Sequence, residues 1–120
     1  MRSDAAPVIV EDKLKEVLAN GRGGLRIVCA DTPTRRGSSW GGDWHVYAVT
    51  DEGERWVLMT YRLAQRTFKS LAGISSLVID LGLPRLMVPH HEGEAYELWM
   101  DGRYRIFDQR GNLVSSGSFN

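Results

Sequence analysis

The sequence predicts an α+β fold: a single compact domain in which two amphipathic helices pack on a mainly antiparallel β-sheet of about seven strands. Three observations support this prediction. Short apolar or alternating segments rich in β-branched and aromatic residues recur along the chain, separated by turn residues. Two other segments place their apolar residues at helical spacing. No repeat, low-complexity tract or Pro/Gly-rich linker divides residues 1–120, so one domain is expected, with residues 1–7 disordered.

Two segments are predicted to form the helices. The first spans residues 11–20 and ends before Gly21, which supplies a C-terminal stop. The second begins after Ser70, a residue type suited to the N-cap, and ends before Gly82. Apolar residues that share one helical face are Val10, Leu14, Val17 and Leu18 in and just before the first, and Ile74, Leu77, Val78 and Leu81 in the second.

The predicted strands are residues 25–30, 44–50, 55–61, 85–88, 96–100, 103–107 and 113–116. Turn residues at 51–53 and Asp-Gly at 101–102 indicate hairpins between neighbouring strands. Pro84 ends the second helix, so residues 85–88 are expected to return to the sheet through a helical crossover in a βαβ-like unit. Residues 31–43, DTPTRRGSSWGGD, consist largely of turn-forming types and are predicted to be a loop.

Composition excludes several classes of protein. The 15 Lys+Arg balance the 15 Asp+Glu, which argues against coating of nucleic acid by bulk charge but leaves room for a local basic patch on a DNA-contacting protein. No apolar run approaches the ~18 residues of a membrane span. The single cysteine, Cys29, cannot form an intramolecular disulfide, and the first residues lack the pattern of a signal peptide. A cytoplasmic protein without membrane contact is expected.

The zero net charge is the sum of alternating blocks along the chain. Basic residues dominate at 22–36, 62–69 and 103–110, and acidic residues at 43–54 and 92–101. One interpretation is that neighbouring strands present complementary charges to each other. The other is a bipolar surface suited to self-association, such as a homodimer, or to a charged partner.

The candidate binding residues are Arg35, Arg36, Trp40, Trp44 and His45, in and beside the predicted loop. Guanidinium groups bind phosphates or carboxylates bidentately, and tryptophan offers a flat surface for stacking. This combination suits nucleic acid or an acidic protein surface. Trp40 is the tryptophan most exposed to solvent in this prediction, either as a binding anchor or folded back onto the sheet.

Residues with catalytic or metal-binding chemistry are few. Asp43 and His45 share one face of a predicted strand, and Cys29 would complete a nucleophilic set only if the fold brought it close. His90, His91 and Glu92 are metal-ligand types, but their spacing matches no metal-binding motif. A solvated loop is expected there. The glycine-rich segments match no nucleotide-binding fingerprint. We therefore predict no catalytic residue, metal or cofactor.

Residues 66–88, RTFKSLAGISSLVIDLGLPRLMV, contain an extended segment with arginine and phenylalanine, a Ser-capped helix ending in Leu-Gly, and a short strand-like run. The match rests on Phe68, Lys69, Ser70, Leu71, Leu81 and Gly82. This element resembles one in small partition-associated proteins of bacterial plasmids, the ParC-like family. The resemblance implies a cytoplasmic, plasmid-encoded accessory of maintenance or segregation that acts by binding, and it implies no catalytic residue.

Three functional hypotheses follow. The first is a non-enzymatic binding protein of a plasmid or other mobile element, which acts with a partition or regulatory protein near DNA and uses the Arg/Trp loop for recognition. The second is an inhibitor of a host-defence nuclease that presents the carboxylates of residues 51–54 as phosphate mimics. The third is a small enzyme that uses Cys29, His45 and Asp43.

Overall fold

The computed structural model describes residues 7–60, 62 and 64–119. Within them the chain forms two helices and eight strands, and the predicted α+β class is confirmed. In chain order these are β1 (Val8–Val10), α1 (Glu11–Ala19), β2 (Gly24–Arg36), β3 (Ser39–Val49), β4 (Arg55–Met59), β5 (Thr67–Ser70), α2 (Leu71–Asp80), β6 (Ala95–Trp99), β7 (Arg103–Phe107) and β8 (Leu113–Ser118). Neither helix is long and apolar enough to cross a membrane, as judged over the described residues.

The sheet is built around the long antiparallel pair β2–β3. Its strand order is β1-β4-β3-β2-β6-β7-β8, and β5 also pairs with β3. Only β1–β4, among the pairings of named strands, is parallel. Strand β6 accompanies β2 only along residues 24–28. The β2–β3 hairpin therefore continues past the body of the sheet, and we call residues 32–41 of this extension the arm.

The core lies on one face of the sheet. Alternate residues of β2 and β3 point to this face because side chains alternate along a strand. The buried residues are Leu25, Ile27 and Cys29 of β2, Trp44, Val46 and Ala48 of β3, Leu14 and Leu18 of α1, and Ile74, Leu77 and Val78 of α2. Both helices contribute to this one cluster, so both cover the same face. Each large aliphatic side chain buried in this way stabilises the fold by roughly 1.5–3 kcal/mol.

Local signals explain where the helices begin and end. The Ser70 hydroxyl accepts a hydrogen bond from the Gly73 N–H at 3.0 Å, which satisfies one of the free donors at the start of α2. Gly82 follows the helix with a φ of 79°, a conformation that favours glycine. At the end of α1, the Gly21 N–H donates to the Leu18 carbonyl at 2.9 Å. Both predicted helices are confirmed.

The prediction of a loop at residues 31–43 is wrong. This segment forms the ends of β2 and β3, with Arg36 paired to Ser39 across a two-residue turn. Gly37 in that turn has a φ of 65°, which suits a tight hairpin. Pro33 lies where the β2–β3 register shifts, a position that tolerates a residue without an N–H.

The predicted strand at residues 85–88 is also wrong, and with it the βαβ-like unit. This stretch belongs to an irregular connection between α2 and β6. Met87 and Val88 are apolar because they pack against the core cluster, rather than because they pair in the sheet. Pro84 and Pro89, which lack an N–H, lie on either side of them.

Two short strands, β1 and β5, were not among the predicted strands. The carbonyl of Pro7 accepts a hydrogen bond from the Val57 N–H at 2.9 Å, so Pro7 is held against the sheet rather than disordered. The expected disorder of residues 1–6 lies outside the described residues. The predicted strand at 55–61 ends earlier, at Met59, and residue 61 is likewise outside the described part.

Replacement of Ser70 by alanine removes the N-cap hydrogen bond of α2 and is expected to lower the free energy of unfolding by about 1 kcal/mol. Urea denaturation with an unchanged m-value measures this effect. The matched control is Ser76→Ala at an exposed position within the same helix, where alanine is the better helix former. Equal destabilisation by both substitutions would contradict the assignment of the cap.

Candidate binding site

The arm presents its arginines at an ordered tip. The Arg35 Nε donates a hydrogen bond to the Gly37 carbonyl at 2.9 Å, and the Ser39 hydroxyl donates to the Arg36 carbonyl at 3.1 Å. Both arginines are exposed. These contacts fix the turn, and the hydrogen bond of Arg35 uses its Nε rather than its terminal nitrogens.

The two arginines lie on opposite faces of the arm. Arg35 is the cross-strand partner of Trp40, whereas Arg36 is the partner of Ser39. Directly paired residues of an antiparallel ladder project from the same face, and successive residues project from opposite faces. Arg35 therefore shares its face with Trp40, which is 43% exposed. As expected, Trp40 is the most exposed of the four tryptophans.

A cavity of about 360 Å³ lies against the Trp40 face of the arm. It is lined by Thr32, Pro33, Trp40, Leu71, Val88, His90 and His91. The His90 and His91 ring centroids are 4.2 Å apart, with the rings tilted by 40°. The fold thus joins the Arg/Trp segment to the histidine pair, which follows it by about 50 positions in the sequence. We call this space the Trp40 cavity.

Trp44 positions this cavity from inside the core and does not contact solvent. Its side chain is fully buried, and its indole N–H donates to the Pro89 carbonyl at 2.8 Å. The expectation that Trp44 belongs to an exposed recognition surface is therefore wrong. The alternation of the strand turns it toward the core, where it anchors the segment that carries the histidines.

Two further hydrogen bonds hold the same segment against the base of the arm. The Glu92 N–H donates to the Thr32 hydroxyl at 2.9 Å, and the Gly93 N–H donates to the Cys29 carbonyl at 2.8 Å. Together with the Trp44 contact, these bonds fix the backbone on both sides of His90 and His91. The histidines are consequently held in place by hydrogen bonds between their segment and strands β2 and β3.

His45 lies apart from the Trp40 cavity. It follows Trp44 on β3 and so projects from the opposite face of the sheet. There its Nε2 lies 3.5 Å from Asp43 Oδ2, and Lys69 Nζ lies 3.0 Å from the same oxygen. Of the predicted binding residues, the structure brings together Arg35 and Trp40, while Arg36 and His45 occupy the other face.

The set of Cys29, His45 and Asp43 is not assembled. Cys29 is the cross-strand partner of Trp44 and points into the core, away from the face that carries His45 and Asp43. Burial raises the pKa of the Cys29 thiol, which favours the unreactive protonated form. This arrangement removes the structural basis of the proposed nucleophilic site.

The rings of the histidine pair lie in contact, tilted by 40° to each other. The described residues contain no group of three or more His, Cys, Asp or Glu side chains placed to hold a metal ion. His90 and His91 instead contribute two aromatic walls to the Trp40 cavity. In the sequence, these adjacent histidines indicated only a possible metal ligand pair. The fold places them beside Trp40.

Part of the charge alternation is used in ion pairs within the body of the sheet. Arg26 and Glu97, on neighbouring strands, are joined at 2.9 Å with their side chains 11% and 6% exposed. The other pairs that link separate strands or turns are Lys69–Asp43 and Arg103–Asp51. Across the described part of the chain, no carboxylate forms an ion pair with Arg35 or Arg36. The arm is one of several places among the described residues where arginines stand exposed without an ion pair, and there two such arginines are adjacent on an ordered turn.

A larger cavity, of about 490 Å³, lies at the opposite end of the sheet between α1, β1 and the β3–β4 turn. Its walls are mainly aliphatic, with Trp56 on one side, and its rim carries both cations and carboxylates. No sequence pattern signals this cavity, because its lining comes from separate elements, each of which shows only ordinary core periodicity. It contains none of the predicted binding residues.

The arm and the Trp40 cavity together offer charged, stacking and apolar contacts on one face. No family model, curated protein or solved structure matches the chain. The functional inference therefore depends on this geometry. Binding is the chemistry that it supports.

Replacement of Trp44 by phenylalanine is expected to lower the free energy of unfolding by about 2–4 kcal/mol, because it leaves a void and a buried carbonyl without its donor. Urea denaturation measures the loss. Trp56→Phe is the control, since the Trp56 indole is only partly buried and donates to the exposed Glu54 carboxylate. Losses that agree within about 0.5 kcal/mol would refute the anchoring role.

Cys29 is expected to react with iodoacetamide at least about 100-fold more slowly in the folded protein than in urea, because both burial and its raised pKa suppress the thiolate. Mass spectrometry of timed samples measures the rate. Rapid labelling of the folded protein would contradict the burial of this thiol.

The raised folded-state pKa of Cys29 also means that wild-type stability, relative to Cys29→Ala, falls as the pH rises above about 8.5.

Proposed function

We propose that this chain is a non-enzymatic binding protein that contacts an anionic partner through the arm. The observation that carries the proposal is that the ordered turn of the arm presents two adjacent, exposed arginines. Some charges in the body are paired across strands, whereas Arg35 and Arg36 stand exposed on a preformed hairpin, without an ion pair among the described residues. A charge kept exposed and unpaired on an ordered support is available for intermolecular contact.

The shape of the arm suits this role. A two-stranded ribbon is narrow enough to enter the major groove of DNA, and it can equally lie along the acidic surface of a protein. Guanidinium groups bind both phosphate and carboxylate bidentately. Because the turn is already ordered by internal hydrogen bonds, little conformational entropy is lost when a partner binds.

The proposed setting is the maintenance of a bacterial plasmid or other mobile element. It comes from the resemblance of residues 66–88 to partition-associated proteins, and it makes a partition or regulatory protein, or the DNA that this protein occupies, the expected partner. A cytoplasmic location agrees with the single buried thiol of Cys29. A homodimer remains part of the proposal, because β8 is an uncharged strand at the edge of the sheet.

Inhibition of a nuclease by phosphate mimicry has less support. It needs a continuous set of free carboxylates, and those of the β3–β4 turn are partly committed. Asp51 lies 4.0 Å from Arg103, and Glu54 accepts a hydrogen bond from the Trp56 indole at 3.3 Å. The geometry favours the arm over this acidic turn.

The double variant Arg35→Ala/Arg36→Ala is expected to fold normally and to recover at least tenfold less partner than the wild type. The measurement is affinity capture from the native host at two salt concentrations, with mass spectrometry and nucleic-acid sequencing of the same eluate. Raising the salt should reduce recovery by the wild type as well, because the contacts are charge-dependent.

The matched control is Arg22→Ala/Arg55→Ala, which removes the same charge from exposed positions at the opposite end of the sheet. This variant should retain the captured partner. Equal recovery by the arm variant and the wild type would overturn the proposed role of the arm. Equal losses in both double variants would show that net charge, rather than the arm, determines binding.

A further inference from the structure

We propose that the Trp40 cavity binds an unpaired base of a single-stranded nucleic acid, while Arg35 contacts the adjoining phosphate. This inference rests on the proposed function and names the chemical class of its partner. It also assigns a role to His90 and His91, which take no part in the contact proposed above for the arginines of the arm.

The walls of the cavity match a flat aromatic ligand. Trp40, His90 and His91 contribute rings, and Pro33, Leu71 and Val88 contribute apolar surface. Its volume of about 360 Å³ falls within the usual range for small-molecule sites. Bases stack on aromatic side chains largely without regard to sequence, since every base has a π-face. The imidazoles also carry donors or acceptors for the polar edge of a base.

The placement of Arg35 adds the backbone contact. Because Arg35 is paired with Trp40 across the ladder, its guanidinium lies on the cavity face of the arm. Its Nε is held by the Gly37 carbonyl, which leaves the terminal nitrogens for a phosphate. Arg36 projects from the other face and should contribute only through longer-range charge.

A single strand fits this arrangement better than a duplex. In a duplex the faces of each base are covered by its neighbours, so a base can enter a cavity only when it is unpaired or flipped out. The exposed carboxylate of Glu92 lies next to His91 in the sequence and disfavours phosphate on that side. The strand is therefore expected to approach from the Arg35 side.

The test is fluorescence anisotropy with a labelled twelve-nucleotide dT strand, an abasic strand of the same length and a duplex. Wild-type protein should bind the dT strand at least tenfold more tightly than the abasic strand. Trp40→Ala should abolish this preference while leaving affinity for the abasic strand unchanged, and Trp40→Phe should retain part of it. Arg35→Ala should weaken binding to both single strands, by more than Arg36→Ala does.

Equal affinity of the wild type for the dT and abasic strands would overturn the inference, as would an unchanged preference in Trp40→Ala. Displacement of the dT strand by a proline-rich peptide that binds more tightly would also overturn it, in favour of a peptide in the cavity. Duplex or protein binding that depends on the arm, without a preference for unpaired bases, would refute this inference and leave the proposed function intact. Urea denaturation of Trp40→Ala confirms that the variant is folded.

Discussion

The buried indole of Trp44 fills the core and, through its hydrogen bond to the Pro89 carbonyl, determines how the rest of the site is arranged. It lies on β3 where the body of the sheet gives way to the arm, and it reaches across to the irregular connection that precedes β6. A buried Pro89 carbonyl without a hydrogen-bond donor would be costly. This hydrogen bond therefore fixes the course of the connection. Thr32 and Cys29 complete that path with two further hydrogen bonds.

The central hairpin carries charge in two different settings. In the body, some charged side chains pair across neighbouring elements, and the nearly buried Arg26–Glu97 pair is the clearest case. Such a pair helps to specify which strands are neighbours, although its desolvation offsets much of its attraction. In the arm, the ladder continues without carboxylate partners for its arginines among the described residues. One continuous element therefore serves both as a scaffold and as an exposed, positively charged surface.

Features set by local sequence were predictable, because few residues determine them. The Ser70 cap, the Gly82 stop and the Asp-Gly turn before β7 all follow from short patterns. The arm was missed because its many turn-forming residues masked the Gly37-Ser38 pair, itself a hairpin signal between extended runs. The proximity of Trp40 to His90 could not be predicted, because it depends on a long-range hydrogen bond of a residue that looks like ordinary core.

The pairing of β2 with β6 affects how the chain acquires its structure. Arg26 and Glu97 are 71 positions apart, so one side of the central strand finds its partner only after most of the chain has been synthesised. Non-local pairing of this kind slows folding, and an uncovered strand edge can pair with another chain in the meantime. Hairpin β2–β3 can form early, but its outer edge stays vulnerable on the ribosome until residues 95–99 emerge. Strand β6, in the last third of the sequence, thus pairs with the exposed edge of β2 and completes the sheet.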